Sequence, residues 1–329
     1  MSESHPFDAW SLREAAEALL LVTAALETGL LQLLERERTP EDLAAKRALD
    51  RRAVAICLGA LEEVGVVERG RRGYRLTAFG LTRFADPAAP AYVAADLPLW
   101  RANLRGWLFL EEVLRSGRPL AVDDPPELRG RLCRSLDAKP AARVAGLVEG
   151  LLARAPAPRP HVLDVGGGAG TYARAFLERG CRVTLLERPE TIRHLAEAFG
   201  LGRLEGLSLV GGDFHEGLPA GPFGAVLLAD VIHELSPAEA RALLARVAEA
   251  AAPAAVVGIA DLFRGRSSGA AFFAVSLLLY TKAGNTYAEG EVVEWLVGAG
   301  FADPLVEDLD AGHALVTARR RSGASRRNG

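Results

Sequence analysis

His161-Val162-Leu163-Asp164-Val165-Gly166-Gly167-Gly168-Ala169-Gly170 begins the stretch His161 to Gly180 (HVLDVGGGAGTYARAFLERG), and its reading decides the fold. His161 to Asp164 suit a buried strand, and Thr171 opens an amphipathic helix. A glycine-rich turn between strand and helix lets backbone approach a ligand closely, because no Cβ atoms intervene. Asp164, Gly166, Gly168 and Gly170 give the spacing D-x-G-x-G-x-G. A dinucleotide fingerprint has its third glycine one place later, where Thr171 stands. The spacing therefore argues against NAD and for a ligand without a pyrophosphate. A tight turn with no ligand is the plain alternative.

Arg182 to Leu186 is a second buried-strand run that closes on Glu187, an acid placed to accept both hydroxyls of a ribose. Its distance from the loop is near the roughly 20 residues such a pair needs. Further on, the pattern predicts helix over Pro189 to Phe199 and strand over Leu207 to Val210. Strand Phe223 to Ala229, helix Ser236 to Ala250 and strand Ala255 to Ala260 follow. Helix Glu291 to Gly298 and strands Leu305-Val306 and Ala314 to Thr317 complete the alternation. Strands alternating with helices predict an α/β fold with a doubly wound, mostly parallel sheet. Ligands of such sheets bind at the carboxyl ends of the strands, and Glu187, Asp213, Asp230 and Asp261 all fall at or just past those ends. Asp213 suits an exocyclic amine and Phe214 a purine face, although Asp213 after two glycines also reads as a turn former. Together these groups describe an adenosine site without a phosphate cradle, which S-adenosylmethionine fits.

Composition excludes several classes. A net charge of −3 gives no global attraction to nucleic acid or anionic membrane. The longest uncharged apolar run, Ala270 to Tyr280, is far short of the ~20 residues of a membrane span. The N-terminus lacks a signal-peptide layout. Cys57, Cys133 and Cys181 have no metal-like spacing, so a cytoplasmic, reduced protein without structural metal is expected.

Ahead of the glycine loop, Ser11-Leu12-Arg13-Glu14 reads as a capping box. The helix after it is apolar nearly all round, from Leu19 to Leu34, and such a helix must be covered, by its own domain or by a second copy of the chain. Thr39-Pro40 starts another helix. Val54, Cys57, Leu58, Leu61 and Val64 mark one buried helical face, and short strands Val66 to Glu68 and Tyr74 to Thr77 flank a turn. Helix, helix and two-stranded wing predict a winged-helix unit, a fold often used on DNA. Its second helix offers Ala55, Gly59, Glu62 and Glu63 beyond Arg51 and Arg52, and the glutamates would repel phosphate. A dimerisation role is therefore preferred to transcription regulation. Asp96 to Leu152 reads as helical, and Ala155 to Pro160 (APAPRP) as a stiff linker.

The chain resembles the bacterial and plant small-molecule O-methyltransferases whose winged-helix N-terminal part forms the dimer. The resemblance rests on Leu163-Asp164-Val165-Gly166-Gly167-Gly168, Gly212-Asp213-Phe214, Val231-Ile232-His233-Glu234 and Ala299-Gly300-Phe301. It implies a class I methyltransferase, Rossmann-like catalytic domain acting in secondary metabolism. It implies S-adenosylmethionine contacts at Gly166, Glu187, Arg188, Asp213 and Phe214, to which the glycine-loop spacing and the strand-end acids add Asp164, Gly168, Gly170 and Asp230. It also implies a homodimer whose partner helps close the substrate pocket. The expected division is a dimerisation domain at 1–95, a helical linker lining the pocket at 96–155, a catalytic domain at 156–320 and a disordered basic tail at 321–329.

The expected reaction is methylation of a small aromatic hydroxyl. Alternatives are a relative that methylates carbon or nitrogen, and a winged-helix regulator that keeps the methyltransferase fold as a sensor. His233 is the best-placed base, with loop packing as its plain alternative. The histidine base of plant members aligns with Glu239, which Ser236-Pro237-Ala238-Glu239 also explains as a capping box. Of the two acids flanking that base, one aligns with Asp261 and the other with Thr286. A lysine common in the family falls on Ala229. Phe272, Phe273, Tyr280 and Tyr287 are expected to line an aromatic pocket, with core packing as the alternative.

Overall fold

The computed structural model describes residues 8–87, 89, 91–120, 139–309 and 312–321. Cys133 and the basic tail from residue 322 lie outside the described residues. The chain divides into two compact units, Met1–Leu108 and Phe109–Gly329.

In the first unit, helix α1 (Ala9–Glu27) is capped by Asp8, whose carboxylate accepts from the Trp10 and Ser11 backbone N–H groups, each at 3.3 Å. The helix thus starts earlier than the predicted Ser11 box, because an aspartate serves the cap as well as serine does. The long apolar run is interrupted at Gly29, which takes φ +73° before a single turn, Leu30–Leu33. Helix α2 (Pro40–Arg47) is capped by Thr39, whose hydroxyl accepts from Asp42 N–H at 3.2 Å. Helix α3 (Arg51–Glu63) is capped by Asp50. Strands β1 (Val67–Arg69) and β2 (Tyr74–Leu76) pair antiparallel. Leu26, Leu31, Leu34, Leu43, Leu58, Leu61 and Tyr74 form the core, whereas Trp10, Leu12, Leu20 and Ile56 stay exposed. Helix α4 (Leu97–Trp107) closes the unit against α1, with Arg101 paired to Glu27.

The second unit holds helices α5 (Leu110–Ser116) and α6 (Ala141–Arg154) before the sheet. Strand β3 (His161–Val165), helix α7 (Thr171–Glu178), strand β4 (Arg182–Glu187), helix α8 (Pro189–Ala198) and strand β5 (Leu207–Gly211) form its first half. Strand β6 (Phe223–Ala229), helix α9 (Pro237–Ala250) and strand β7 (Ala251–Asp261) follow, then helices α10 (Ala270–Tyr280) and α11 (Glu289–Gly298) and strands β8 (Phe301–Asp308) and β9 (Ala314–Arg320). The seven strands lie in the order β5-β4-β3-β6-β7-β9-β8. The first five run parallel, and β9 pairs antiparallel with both β7 and β8. This is the doubly wound, mostly parallel sheet the alternation predicts. Among the described residues, no helix is long and apolar enough to cross a membrane.

The topology fixes where a ligand can bind. From β3 the chain winds outward to β5, then returns to the other side of β3 through β6. The carboxyl ends of β3 and β6 therefore flank the switch point, where open α/β sheets bind ligands. Strand alternation sorts the side chains there. Leu163, Val165, Val226 and Leu228 join the core with α9 and α11, whereas Val162, Ala225 and Leu227 pack with α6 and α7. Asp164 shares the Val162 face, so its neighbours come from α6 and α7.

Candidate active site

The loop after β3 is shaped by its glycines. Gly166, Gly168 and Gly170 all have left-handed φ angles, of +68°, +52° and +74°, which side chains with a Cβ seldom adopt. A Cβ on Gly170 would lie 2.8 Å from Leu201, so this glycine also lets the loop pack closely. A Cβ on Gly168 would meet nothing within 4 Å, so that residue borders open space.

Glu187, ending β4, reaches this loop. Its carboxylate accepts from Gly168 N–H at 3.2 Å and from Arg188 N–H at 2.8 Å. The strand-end acid and the glycine turn thus form one unit, with Arg188 exposed at the start of α8. Asp164 is buried, and its Oδ2 has no hydrogen-bond partner among the described residues. Burial, reinforced by the Glu187 charge and partly offset by Lys139, pushes its pKa up to about 7. A buried unpaired acceptor is costly unless a ligand satisfies it. Asp213 accepts from His215 N–H at 2.8 Å, and its backbone carbonyl accepts from Glu216 and Gly217, so it forms the turn beyond β5. Phe214 beside it is half-buried, its ring 4.7 Å from that of His215.

At the other bank of the switch point, Asp230 follows β6 with a left-handed φ of +58°. Both its oxygens are engaged. Lys139 Nζ lies 2.7 Å from Oδ2 and His313 Nε2 lies 3.2 Å from Oδ1. Burial alone would raise its pKa, but the His313 hydrogen bond and the Lys139 charge outweigh that and hold it well below the usual carboxylate range. Lys139 also sits over the Tyr172 ring at 5.3 Å, and Arg143 Nη1 lies 3.5 Å from His313 Nε2.

His233 lies three residues beyond, in the turn Ile232–Glu234. Its Nδ1 is 2.9 Å and 3.1 Å from the two carboxylate oxygens of Asp261, which ends β7. Asp261 also accepts from Leu262 N–H at 2.8 Å. A carboxylate only accepts, so Nδ1 carries the proton and neutral His233 keeps its lone pair on Nε2. Burial would lower the His233 pKa, but the Asp261 charge and hydrogen bond outweigh it and raise the imidazole above its ordinary value. Phe273 of α10 packs edge-on against the ring at 4.9 Å.

Other sequence expectations fall differently. Glu239 accepts from Ser236 N–H at 2.8 Å and from the Ser236 hydroxyl at 2.6 Å, while Ser236 accepts from Glu239 N–H. Its carboxylate is therefore occupied by the cap of α9. Tyr287 belongs to the core: its hydroxyl donates to the Leu235 carbonyl and its ring packs on Trp295 at 4.8 Å. Phe272 is exposed, and Thr286 is buried. Lys139, Arg143, Tyr172 and His313 form the part of the site that sequence reasoning missed.

Residues 154–302 match the model of a family described as O-methyltransferase domain. No curated protein sequence matches the chain. Among solved structures, an O-methyltransferase family protein from Burkholderia thailandensis has a TM-score of 0.83 at 22% identity, covering 97% of this chain and 100% of that one. Human N-acetylserotonin methyltransferase in complex with S-adenosylmethionine has a TM-score of 0.81 at 19% identity, covering 98% and 100%. The mitomycin 7-O-methyltransferase MmcR has a TM-score of 0.78 at 25% identity, covering 94% and 96%.

Proposed function

We propose that this chain, whose residues 154–302 match the family model described as O-methyltransferase domain, methylates a hydroxyl on a small aromatic molecule. The observation that carries the reading is the His233–Asp261 pair, one strand away from a glycine turn tied to Glu187. The donor set suits S-adenosylmethionine. Glu187 offers its carboxylate to the ribose, and Asp213 with Phe214 offers an acceptor and a ring face to the adenine. The unpartnered Asp164 Oδ2 offers a buried acceptor to the ammonium, and open space beside Gly168 admits the ligand backbone-close.

When bound, S-adenosylmethionine supplies a methyl group already activated on a sulfonium. What remains for the protein is positioning, which carries much of the rate of such transfers, and acceptance of one proton. His233 takes the hydroxyl proton on Nε2 as the oxygen becomes a nucleophile. Asp261 fixes the tautomer and stabilises the imidazolium that results. Phe273 holds the ring from the side, and its apolar helix α10 offers aromatic surface to the substrate. The test is a panel of phenols incubated with S-adenosylmethionine, read by product mass and by the position of the new methyl. Methyl groups found on nitrogen or carbon would replace hydroxyl specificity with one of those chemistries.

The exposed apolar side chains Trp10, Leu12 and Leu20 of α1 support a homodimer, since a second copy of the chain could cover them. Light scattering at micromolar concentration should give twice the 35.0 kDa chain mass. A monomer would overturn the dimer. The same sample should show no salt-sensitive binding to DNA, because α3 carries an exposed Glu63 beside a half-exposed Glu62.

A further inference from the structure

Three buried polar atoms without a hydrogen-bond partner among the described residues lie in one neighbourhood: Asp164 Oδ2, Arg143 Nε and His313 Nδ1. Lys139 stands among them, two residues ahead of α6, its side chain 15% exposed, with one of its three donors spent on Asp230. The grouping follows from the topology. Asp164 faces α6 and α7, and Asp230 follows the strand beside β3. Lys139 spans the gap, resting its ammonium over Tyr172 in the first turn of α7. Its charge is close enough to Asp164 to counter part of the rise in that acid's pKa.

We infer that Lys139, braced by Asp230 and Tyr172, receives the carboxylate of the methionyl end of the cofactor. Arg143 stands beside it, and Asp164 takes the neighbouring ammonium. The site then holds paired cationic donors and an anionic acceptor, which is the complement of an amino-acid zwitterion and of nothing in adenosine itself. The assignment rests on the cofactor reading above. It also accounts for Ala229: the strand end carries no cation of its own, and one arrives from a different element.

Asp230 has a definite part in this arrangement. An ammonium on four flexible carbons loses much rotamer freedom when it binds, and the 2.7 Å ion pair fixes it in advance. His313, on the second oxygen, fixes the aspartate in turn. Asp230 is therefore a positioning residue that acts on the cofactor through Lys139.

The experiment compares two ligands by calorimetry: S-adenosylhomocysteine, which carries the amino-acid end, and 5′-methylthioadenosine, which lacks it. The native chain should prefer the first. Lys139→Met keeps the aliphatic stem and should weaken S-adenosylhomocysteine by about 10- to 100-fold, the range of one charge-assisted hydrogen bond. It should leave 5′-methylthioadenosine unchanged, which also certifies a folded adenosyl site. Lys139→Arg should restore most of the affinity. Equal losses for both ligands, or no loss for either, would overturn the role of Lys139 while leaving the cofactor reading intact. A native chain that binds neither ligand would overturn the cofactor reading, and this inference with it.

Discussion

Replacement of His233 by alanine should lower turnover by about 10²–10⁴-fold, the span of a lost general base, with affinity for S-adenosylhomocysteine close to native. The direction of the pH dependence follows from the ion pair. A base works deprotonated, so native turnover should rise as pH climbs through the His233 pKa. Burial would place that rise below the ordinary imidazole value, but Asp261 outweighs it and moves the rise above. Asp261→Asn should move it back down and lower turnover, since an amide no longer enforces the Nδ1–H tautomer. In His233→Ala the limb should disappear and residual activity should track ionisation of the substrate. Glu239→Gln should cost little, because glutamine keeps the capping geometry with Ser236. The reverse pattern, an active His233→Ala beside a dead but folded Glu239→Gln, would sink the assignment.

Glu187→Ala carries the second large effect, on binding rather than on turnover. Each hydrogen bond a ribose hydroxyl makes to this carboxylate is worth roughly 1.5–3 kcal/mol, as is usual with a charged partner. Losing one weakens the cofactor by about 10- to 100-fold, and losing two by about 10²- to 10⁴-fold. The same substitution strips the acceptor from Gly168 and Arg188 N–H, so part of the loss comes from a looser glycine turn. Glu187→Gln separates the two, because an amide oxygen still accepts from the turn but lacks the charge. Calorimetric affinity equal to native in Glu187→Ala would remove this residue from the ribose.

The sheet and half of the candidate site are legible in the sequence because their signals are local. A buried strand, three alternating glycines and a helix are contiguous from His161 to Glu178, and Glu187 follows within reach. Periodicity likewise marks β6 and α9, whereas β8 begins at Phe301, ahead of the predicted Leu305, because it is an edge-side strand with mixed polarity. His233 and Asp261 could each be singled out as strand-end residues. Their hydrogen bond could not, since it depends on β6 and β7 lying side by side. Lys139, Arg143 and His313 come from distant parts of the chain, and no short pattern links them. One signal was present: Lys139 is one of three lysines among 39 basic residues. A chain that almost everywhere uses arginine kept an ammonium there. Tyr287 misleads in the opposite way, because an aromatic near a pocket and one in the core look alike until the Leu235 carbonyl is seen to accept its hydroxyl.

If Asp164 takes the ammonium as proposed, cofactor loading becomes a proton-exchange event. With its pKa pushed to about 7, the acid is in part protonated at neutral pH, and native stability falls as pH climbs from the ordinary carboxyl range toward that value. An ammonium brought against Oδ2 favours the ionised form, so the proton must leave as the ligand enters. Heat measured on titrating S-adenosylhomocysteine should then depend on the buffer that takes up the proton, differing between phosphate and Tris at pH 7. Asp164→Asn should erase the difference while raising stability above pH 7. Identical heats in the two buffers for the native chain would show that the acid loses no proton on loading.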